Sequence, residues 1–227
     1  MDFNQTKQTY REGIEKTISF SGKGLDFFTR VKADYLREII ADEAPKVQKL
    51  RILDVGCGHG YIHSSLCRFG YDVVGVDVAE GVVELAAIYN PTVSYQAYDG
   101  ATLPFEEASF DVVTTICVMH HVTPEQWPYF LREIKRVLRP GGIIVVFEHN
   151  PWNPATRYVV ANSEIDADAV LLSAPFLRRQ LNDAGFVGVR SRNILFTPFE
   201  LPLFRALDKL LGWCPFGAQF YAYGTVR

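Results

Sequence analysis

The sequence predicts an α/β fold: a doubly wound, mostly parallel sheet of seven strands with an antiparallel edge strand, helices on both faces and an N-terminal helical extension. Short apolar runs alternate with amphipathic segments along most of the chain, which is typical of a parallel sheet with crossover helices. Residues 72–78 (DVVGVDV) are almost continuously apolar, as expected for a strand covered on both faces. A glycine-rich loop follows the run at 51–55, a position at which parallel sheets bind ligands.

The predicted elements form one domain over residues 1–227, in four segments. Residues 1–49 are expected to be a helical cap, because apolar residues recur there at helical spacing: Leu25, Phe28, Val31, Tyr35, Ile39 and Ile40. The core, 50–196, holds strands at 51–55, 72–78, 93–98, 110–118, 143–148 and 187–196, with helices at 61–69, 80–89, 123–139 and 173–185. Thr123 and Gln126 predict a capping box. An amphipathic insertion at 197–217 is a candidate lid, and 218–227 forms the last strand.

Composition narrows the class of protein. The chain has 227 residues, 48% hydrophobic and 22% charged, and a formal net charge of −3, which together indicate a folded domain without the basic surplus of nucleic-acid binders. Its four cysteines have no metal-type spacing and are expected to be reduced thiols. No signal peptide or membrane span is predicted, because no apolar run approaches the length of either. We therefore expect a cytoplasmic protein; its oligomeric state stays open.

The clearest chemical pattern is the loop Asp54-Val55-Gly56-Cys57-Gly58-His59-Gly60, between a predicted strand and a helix. Backbone N–H groups in such a turn can approach an anionic or polar ligand at the helix N-terminus. The glycines at 56, 58 and 60 are one residue short of the G-x-G-x-x-G spacing of dinucleotide-binding proteins. This spacing argues against a nicotinamide-dependent oxidoreductase.

Acidic residues end two further strands. Asp77 closes the second strand, seventeen residues after Gly60, and Asp99 closes the third. A carboxylate at the first position can accept hydrogen bonds from ribose hydroxyls, and one at the second from an adenine amino group. With Asp54, three carboxylates are expected to converge on one rim of the sheet.

The loop and the acidic strand ends resemble the motifs of class I S-adenosylmethionine-dependent methyltransferases. The resemblance extends through Leu103-Pro104-Phe105, the stretch 109–113 (SFDVV), the junction 136–142 (RVLRPGG) and the turn 181–186 (LNDAGF), so it covers about residues 50–189. It implies S-adenosylmethionine as the cofactor, with S-adenosylhomocysteine as its product. The expected cofactor-binding residues are Asp54, Gly56, Cys57, Gly58, Gly60, Asp77, Val78, Asp99, Gly100, Ala101 and Cys117.

Candidates for catalysis follow the fourth and fifth predicted strands. His120 and His121 lie in the stretch that the family places beside the cofactor, and either is a candidate general base. Glu148 and His149 end the fifth strand, where neighbouring side chains point to opposite faces, so one of them is expected to face the pocket. These four groups make a metal site conceivable, but their spacing is not diagnostic and none is predicted.

The expected function is methyl transfer to an oxygen or nitrogen of a small-molecule acceptor. Asn150-Pro151-Trp152 resembles an element with which amino-methyltransferases of nucleic acids hold their base, but it follows the fifth strand rather than the fourth. Position and net charge together exclude a nucleic-acid partner from the prediction. The alternative is a protein of the same fold that binds the cofactor without catalysis, or for a reaction other than methylation.

Overall fold

The computed structural model describes residues 23–199 and 201–227 of the chain. Its strands, β1 to β7, are Arg51–Val55, Asp72–Asp77, Ser94–Ala97, Phe110–Ile116, Leu138–His149, Val187–Ile194 and Gln219–Thr225. The α-helices of these residues, α1 to α7, are Leu25–Glu43, His63–Arg68, Glu80–Tyr89, Trp127–Val137, Pro154–Ala161, Ala174–Asp183 and Pro202–Leu210. Short 3₁₀ turns lie at Met119–His121, Pro124–Gln126 and Leu211–Trp213. Within the described part of the chain, no helix is both long and apolar enough to cross a membrane.

The strands form one sheet in the order β3-β2-β1-β4-β5-β7-β6. β1 to β5 pair in parallel, while β7 pairs antiparallel with both β5 and β6. The predicted seven-stranded, mostly parallel sheet is therefore confirmed. The antiparallel strand lies one place in from the edge, and β6 is the outermost strand. Strand order reverses between β1 and β4, which is where open α/β sheets bind ligands.

Each face of the sheet is covered by helices, and neighbouring residues of β1 show why. Leu53 belongs to a buried cluster with α4 and α6, to which Trp127 and Leu177 contribute. Ile52 belongs to a second cluster on the opposite face, to which Leu36 of α1 and Leu66 of α2 contribute. Because side chains alternate along a strand, a run of consecutive apolar residues serves both clusters.

Helix α1 confirms the helical pattern predicted upstream of the core. Phe27, Val31, Tyr35, Leu36 and Ile39 recur at spacings of three and four and are at most 6% exposed. This spacing places one apolar stripe of the helix against the sheet. Residues 1–22 of the predicted cap lie outside the described residues.

Three local predictions differ from the structure. Thr123 precedes a 3₁₀ turn, and its hydroxyl contacts the side chain of Gln126 instead of capping the backbone, so the predicted capping box is wrong. β5 begins at Leu138, five residues before its predicted start, because Leu138 already pairs with Phe110 ahead of a bulge that shifts the register. No helix is predicted from the sequence between the fifth strand and residue 173, but α5 lies there, and Asn153 caps it by accepting a hydrogen bond from the Thr156 amide (2.9 Å).

Candidate cofactor and acceptor site

The glycine loop connects β1 to α2 and is hydrogen-bonded to β2. The amides of Gly56 and Cys57 both donate to the Val76 carbonyl, at 2.8 and 2.9 Å. Gly58 and Gly60 have positive φ angles (51° and 66°), a conformation that glycine adopts with little strain. A side chain at Gly60 would meet the Tyr95 hydroxyl at 2.3 Å, whereas nothing lies within 4 Å of a Cβ at Gly58. The loop is thus closely packed beneath Gly60 and open at Gly58.

A buried chain of polar groups supports the loop from below. The Tyr95 hydroxyl lies 2.6 Å from His63 Nδ1, and His63 Nε2 lies 2.9 Å from Asp54 Oδ2. Burial raises the pKa of Tyr95, so its hydroxyl keeps the proton, and the two ring nitrogens of His63 link this hydroxyl to Asp54. The other oxygen of Asp54, Oδ1, is buried without a hydrogen-bond partner among the described atoms, and Asp54 borders a cavity beside the loop.

That unpartnered oxygen fits the expected cofactor. A buried carboxylate oxygen is costly unless it is paired, and a ligand ammonium group would pair it. The methionine part of S-adenosylmethionine carries such an ammonium group. The observation agrees with the predicted position of Asp54 beneath the loop.

The acidic ends of β2 and β3 lie beside the loop. Asp77 accepts hydrogen bonds from the amides of Gly58 (2.9 Å) and Ala79 (3.0 Å), and its pKa is raised by burial. Asp99 is exposed and accepts from the amides of Ala101 (2.8 Å) and Thr102 (2.9 Å); these bonds lower its pKa. Asp77 therefore links the glycine loop to the turn after β2, Asp99 orders its own turn, and each carboxylate keeps lone pairs for a ligand.

A cavity of about 560 Å³ opens next to the loop. Its walls come from the glycine loop, the start of α1, the end of β4, the segment around α5 and residues 195–198. Of the predicted cofactor-binding residues, Asp54, Gly56, Cys57, Gly58 and Cys117 line it. The remaining six lie outside its lining, under the loop or at the ends of β2 and β3: Gly60, Asp77, Val78, Asp99, Gly100 and Ala101.

The four predicted catalytic residues lie together but in two layers. His121 and His149 line the cavity, whereas His120 and Glu148 lie behind it and are at most 1% exposed. His120 Nδ1 lies 2.5 Å from Glu148 Oε2, and Glu148 Oε1 accepts from the Met119 amide at 2.9 Å. Glu148 and His149 thus point to opposite sides, and His149 is the one that faces the cavity.

The two adjacent histidines have opposite electrostatic surroundings. Burial alone would lower the pKa of His120, but the carboxylates of Glu148 and Asp166 raise it well above its ordinary value. Burial lowers the pKa of His121 to about 4, and the neighbouring charge of His120 acts in the same direction. At neutral pH His121 is therefore uncharged.

Cys117 occupies a strained position at the end of β4, with φ at +58°. Its Sγ lies 3.8 Å from Lys32 Nζ and 3.8 Å from Gln219 Nε2. Burial would raise the pKa of this thiol, but Lys32 and His149 lower it to about 7. The result is a partly ionised thiol at the cavity wall.

Sequence reasoning missed three polar residues of this cavity. Lys32 comes from α1, Asp166 from the segment after α5, and Gln219 from the first position of β7. None belongs to a motif, and each is far in sequence from the strand ends that it meets. Asn150, by contrast, donates to the carbonyls of Pro215 and Gly217 (2.7 Å each), so its position is structural.

Comparisons with known proteins agree with the fold and the loop. The family model for a methyltransferase domain matches residues 53–146. A methyltransferase of Synechocystis sp. is 32% identical over 145 residues, which cover 62% of this chain and 68% of the relative. A ubiquinone biosynthesis O-methyltransferase of Mesorhizobium japonicum is 33% identical over 148 residues. That match covers 60% of this chain and 59% of the relative.

A solved structure shows the same fold. The S-adenosylmethionine-dependent methyltransferase of Archaeoglobus fulgidus superposes with a TM-score of 0.63 at 18% identity. The match covers 87% of this chain and 94% of that one. This match in fold agrees with the sequence relatives, with the glycine loop and with the acidic residues near the ends of three strands. The chain belongs to the class I methyltransferases, whose cofactor is S-adenosylmethionine.

Proposed function

We propose that the chain transfers a methyl group to a hydroxyl oxygen of a small, largely apolar molecule. The observation that carries this proposal is the composition of the cavity wall. Apolar side chains such as Phe28, Ile116 and Phe196 form much of it, and His149 and Gln219 place polar groups among them. A pocket of this kind suits an apolar acceptor with one or two oriented polar groups. The O-methyltransferase name of the Mesorhizobium relative supports oxygen as the attacking atom.

The cofactor is proposed to lie across the glycine loop. Asp54 Oδ1 would pair with its ammonium group, the Gly58 amide would approach its methionine part, and Asp77 would accept from its ribose hydroxyls. Asp99 would accept from the adenine amino group. When bound, S-adenosylmethionine would supply an electrophilic methyl carbon for the acceptor oxygen, with its sulfur as the leaving group. The residues of the chain then have to orient the acceptor and accept its proton.

His149 is the proposed general base. It lines the cavity, and its Nδ1, the nitrogen that would take the proton, accepts a hydrogen bond from Gln219 Nε2 at 3.3 Å, which the acceptor hydroxyl would replace. Imidazole is the commonest general base in enzymes. His121 also lines the cavity, but a group with a pKa of about 4 is a weak base for a hydroxyl proton. Gln219 Oε1 is buried with no hydrogen-bond partner in the described structure. It would accept a hydrogen bond from the molecule that is methylated.

The test is methyl transfer from isotope-labelled S-adenosylmethionine into a small-molecule extract, followed by mass spectrometry and carbon NMR. We expect label in a methyl ether, and we expect His149→Ala to lower turnover by roughly 10²–10³-fold. The affinity for S-adenosylhomocysteine should stay unchanged in this variant, because His149 is placed on the acceptor side. Label on nitrogen would contradict an oxygen acceptor. Cofactor binding without transfer to any fraction would support a non-catalytic role, and full turnover by His149→Ala would exclude this base.

A further inference from the structure

Three potential metal ligands meet at the wall of the cavity: His121 and Asp166 line it, and His120 lies behind them. His120 Nε2 lies 3.3 Å from Asp166 Oδ1, and His121 Nε2 lies 3.6 Å from the same oxygen. One ligand atom from each of the three residues lies within 4.8 Å of those from the other two. The adjacent imidazole rings are 4.2 Å apart between centroids and tilted by 53°, so they are not stacked face to face.

A second observation concerns the inner histidine. His120 is 1% exposed, and its Nε2 has no hydrogen-bond partner within the described part of the chain, although it faces Asp166. Its other nitrogen, Nδ1, is held by Glu148 at 2.5 Å. Histidines that bind metals typically use one ring nitrogen for the ion and the other for a carboxylate that fixes the ring. The Glu148–His120 pair has this arrangement.

The spacing also fits a metal better than a direct ion pair. A charged N–H···O⁻ bond is typically about 2.7–2.9 Å long, shorter than either contact of Asp166. Ligands at about 2.0–2.1 Å from a tetrahedral ion are roughly 3.4 Å apart. The two observed separations, 3.3 and 3.6 Å, bracket that value.

We propose that His120, His121 and Asp166 bind one divalent transition-metal cation, with Zn²⁺ as the best match. Two imidazoles and one carboxylate suit Zn²⁺, whereas Mg²⁺ prefers oxygen ligands alone. Glu148 is then a positioning residue that holds the His120 ring.

The ion would leave a coordination position facing the cavity, because His121 and Asp166 line the cavity and His120 lies behind them. Its role rests on the proposed function: an acceptor hydroxyl bound to Zn²⁺ loses its proton more readily. That proton would pass to His149. The oxygen would form the new bond to the methyl carbon, and the electron pair of the broken carbon–sulfur bond would stay on sulfur.

Metal binding can be tested without cofactor or acceptor. The full-length protein, without a polyhistidine tag, is stripped with a chelator and titrated with Zn²⁺ by calorimetry, and bound metal is counted by elemental mass spectrometry. We expect one Zn²⁺ per chain, and Co²⁺ in its place should give the visible absorption of a four-coordinate site. Asp166→Asn should weaken binding by at least 100-fold, and Glu148→Gln by about 10–100-fold.

Asp168→Asn is the matched control. Asp168 lies two residues from Asp166 and 3.8 Å from His121 Nδ1, but its side chain is 60% exposed and it is not one of the three proposed ligands. This variant should bind Zn²⁺ like the wild type. No stoichiometric binding by the folded wild type, or equal losses in the two aspartate variants, would overturn the proposal. Either result leaves methyl transfer untouched, so a failed metal site and a failed proposed function can be told apart.

Discussion

Two of the three glycines of the loop, Gly58 and Gly60, should respond differently to replacement by alanine. At Gly60 an alanine would adopt a left-handed backbone conformation, which costs about 1–2 kcal/mol, and its Cβ would lie 2.3 Å from the Tyr95 hydroxyl. Forcing an extra methyl group into packed surroundings costs a further 1–3 kcal/mol or so. We therefore expect Gly60→Ala to lower the free energy of unfolding by roughly 3 kcal/mol. For a domain of this size the melting temperature would fall by roughly 6–12 °C.

Gly58→Ala shares the backbone cost but not the clash, since nothing lies within 4 Å of its Cβ. Its expected loss is about 1–2 kcal/mol. The added methyl group would instead stand at the cavity, where the cofactor is proposed to approach the loop. The affinity for S-adenosylhomocysteine should therefore fall more in Gly58→Ala, by at least about 10-fold, while stability falls more in Gly60→Ala.

Urea denaturation and calorimetry measure the two effects separately. The Gly60→Ala/Tyr95→Phe double variant adds a check, because removing the hydroxyl relieves the clash. We expect it to be at least about 1 kcal/mol more stable than the sum of the single changes predicts. Equal destabilisation by the two glycine variants, or strict additivity in the double variant, would refute the packing argument.

Three further predictions follow from single contacts. The rate at which Cys117 reacts with iodoacetamide should have its midpoint near pH 7, because alkylation requires the thiolate and the pKa of this thiol is lowered to about 7. Lys32→Met should move that midpoint to higher pH. An unchanged midpoint would contradict the charge effect of Lys32. Asp77→Asn should weaken S-adenosylhomocysteine binding by at least about 10-fold in calorimetry, and unchanged affinity would contradict a ribose contact at this carboxylate. It should also cost about 1–3 kcal/mol in stability, since asparagine keeps an acceptor oxygen for only one of the Gly58 and Ala79 amides. Asn150→Ala should lower the free energy of unfolding, measured by urea denaturation, by roughly 2–4 kcal/mol, because the carbonyls of Pro215 and Gly217 lose their buried donor. A loss below about 1 kcal/mol would contradict the structural role of Asn150.

The parallel part of the fold could be predicted because each of its strands is visible in the sequence as a short apolar segment. The strands β1, β2 and β4 are short, mostly apolar segments, and glycine or acidic residues lie at the ends of β1 and β2. The early start of β5 could not be predicted, because it depends on Leu138 pairing with Phe110, 28 residues away. The capping box failed for a local reason: the Thr123 hydroxyl contacts the side chain of Gln126 in preference to the backbone.

Some residues of the candidate site could likewise be predicted from the sequence, and others could not. Asp54, Asp77 and Asp99 could be found from the sequence because the end of a parallel strand is visible as the end of an apolar run. Lys32 and Asp166 could not be found, since tertiary packing alone brings α1 and the segment after α5 to the end of β4. Only the three-dimensional arrangement shows that His120 faces Asp166 on one side and Glu148 on the other.

The most direct test of the account is methyl transfer from labelled S-adenosylmethionine by the full-length protein incubated with fractionated small molecules. The account predicts label in a single apolar metabolite as a new methyl ether, with S-adenosylhomocysteine formed in equal amount. No labelled small molecule, despite demonstrated cofactor binding, would contradict it.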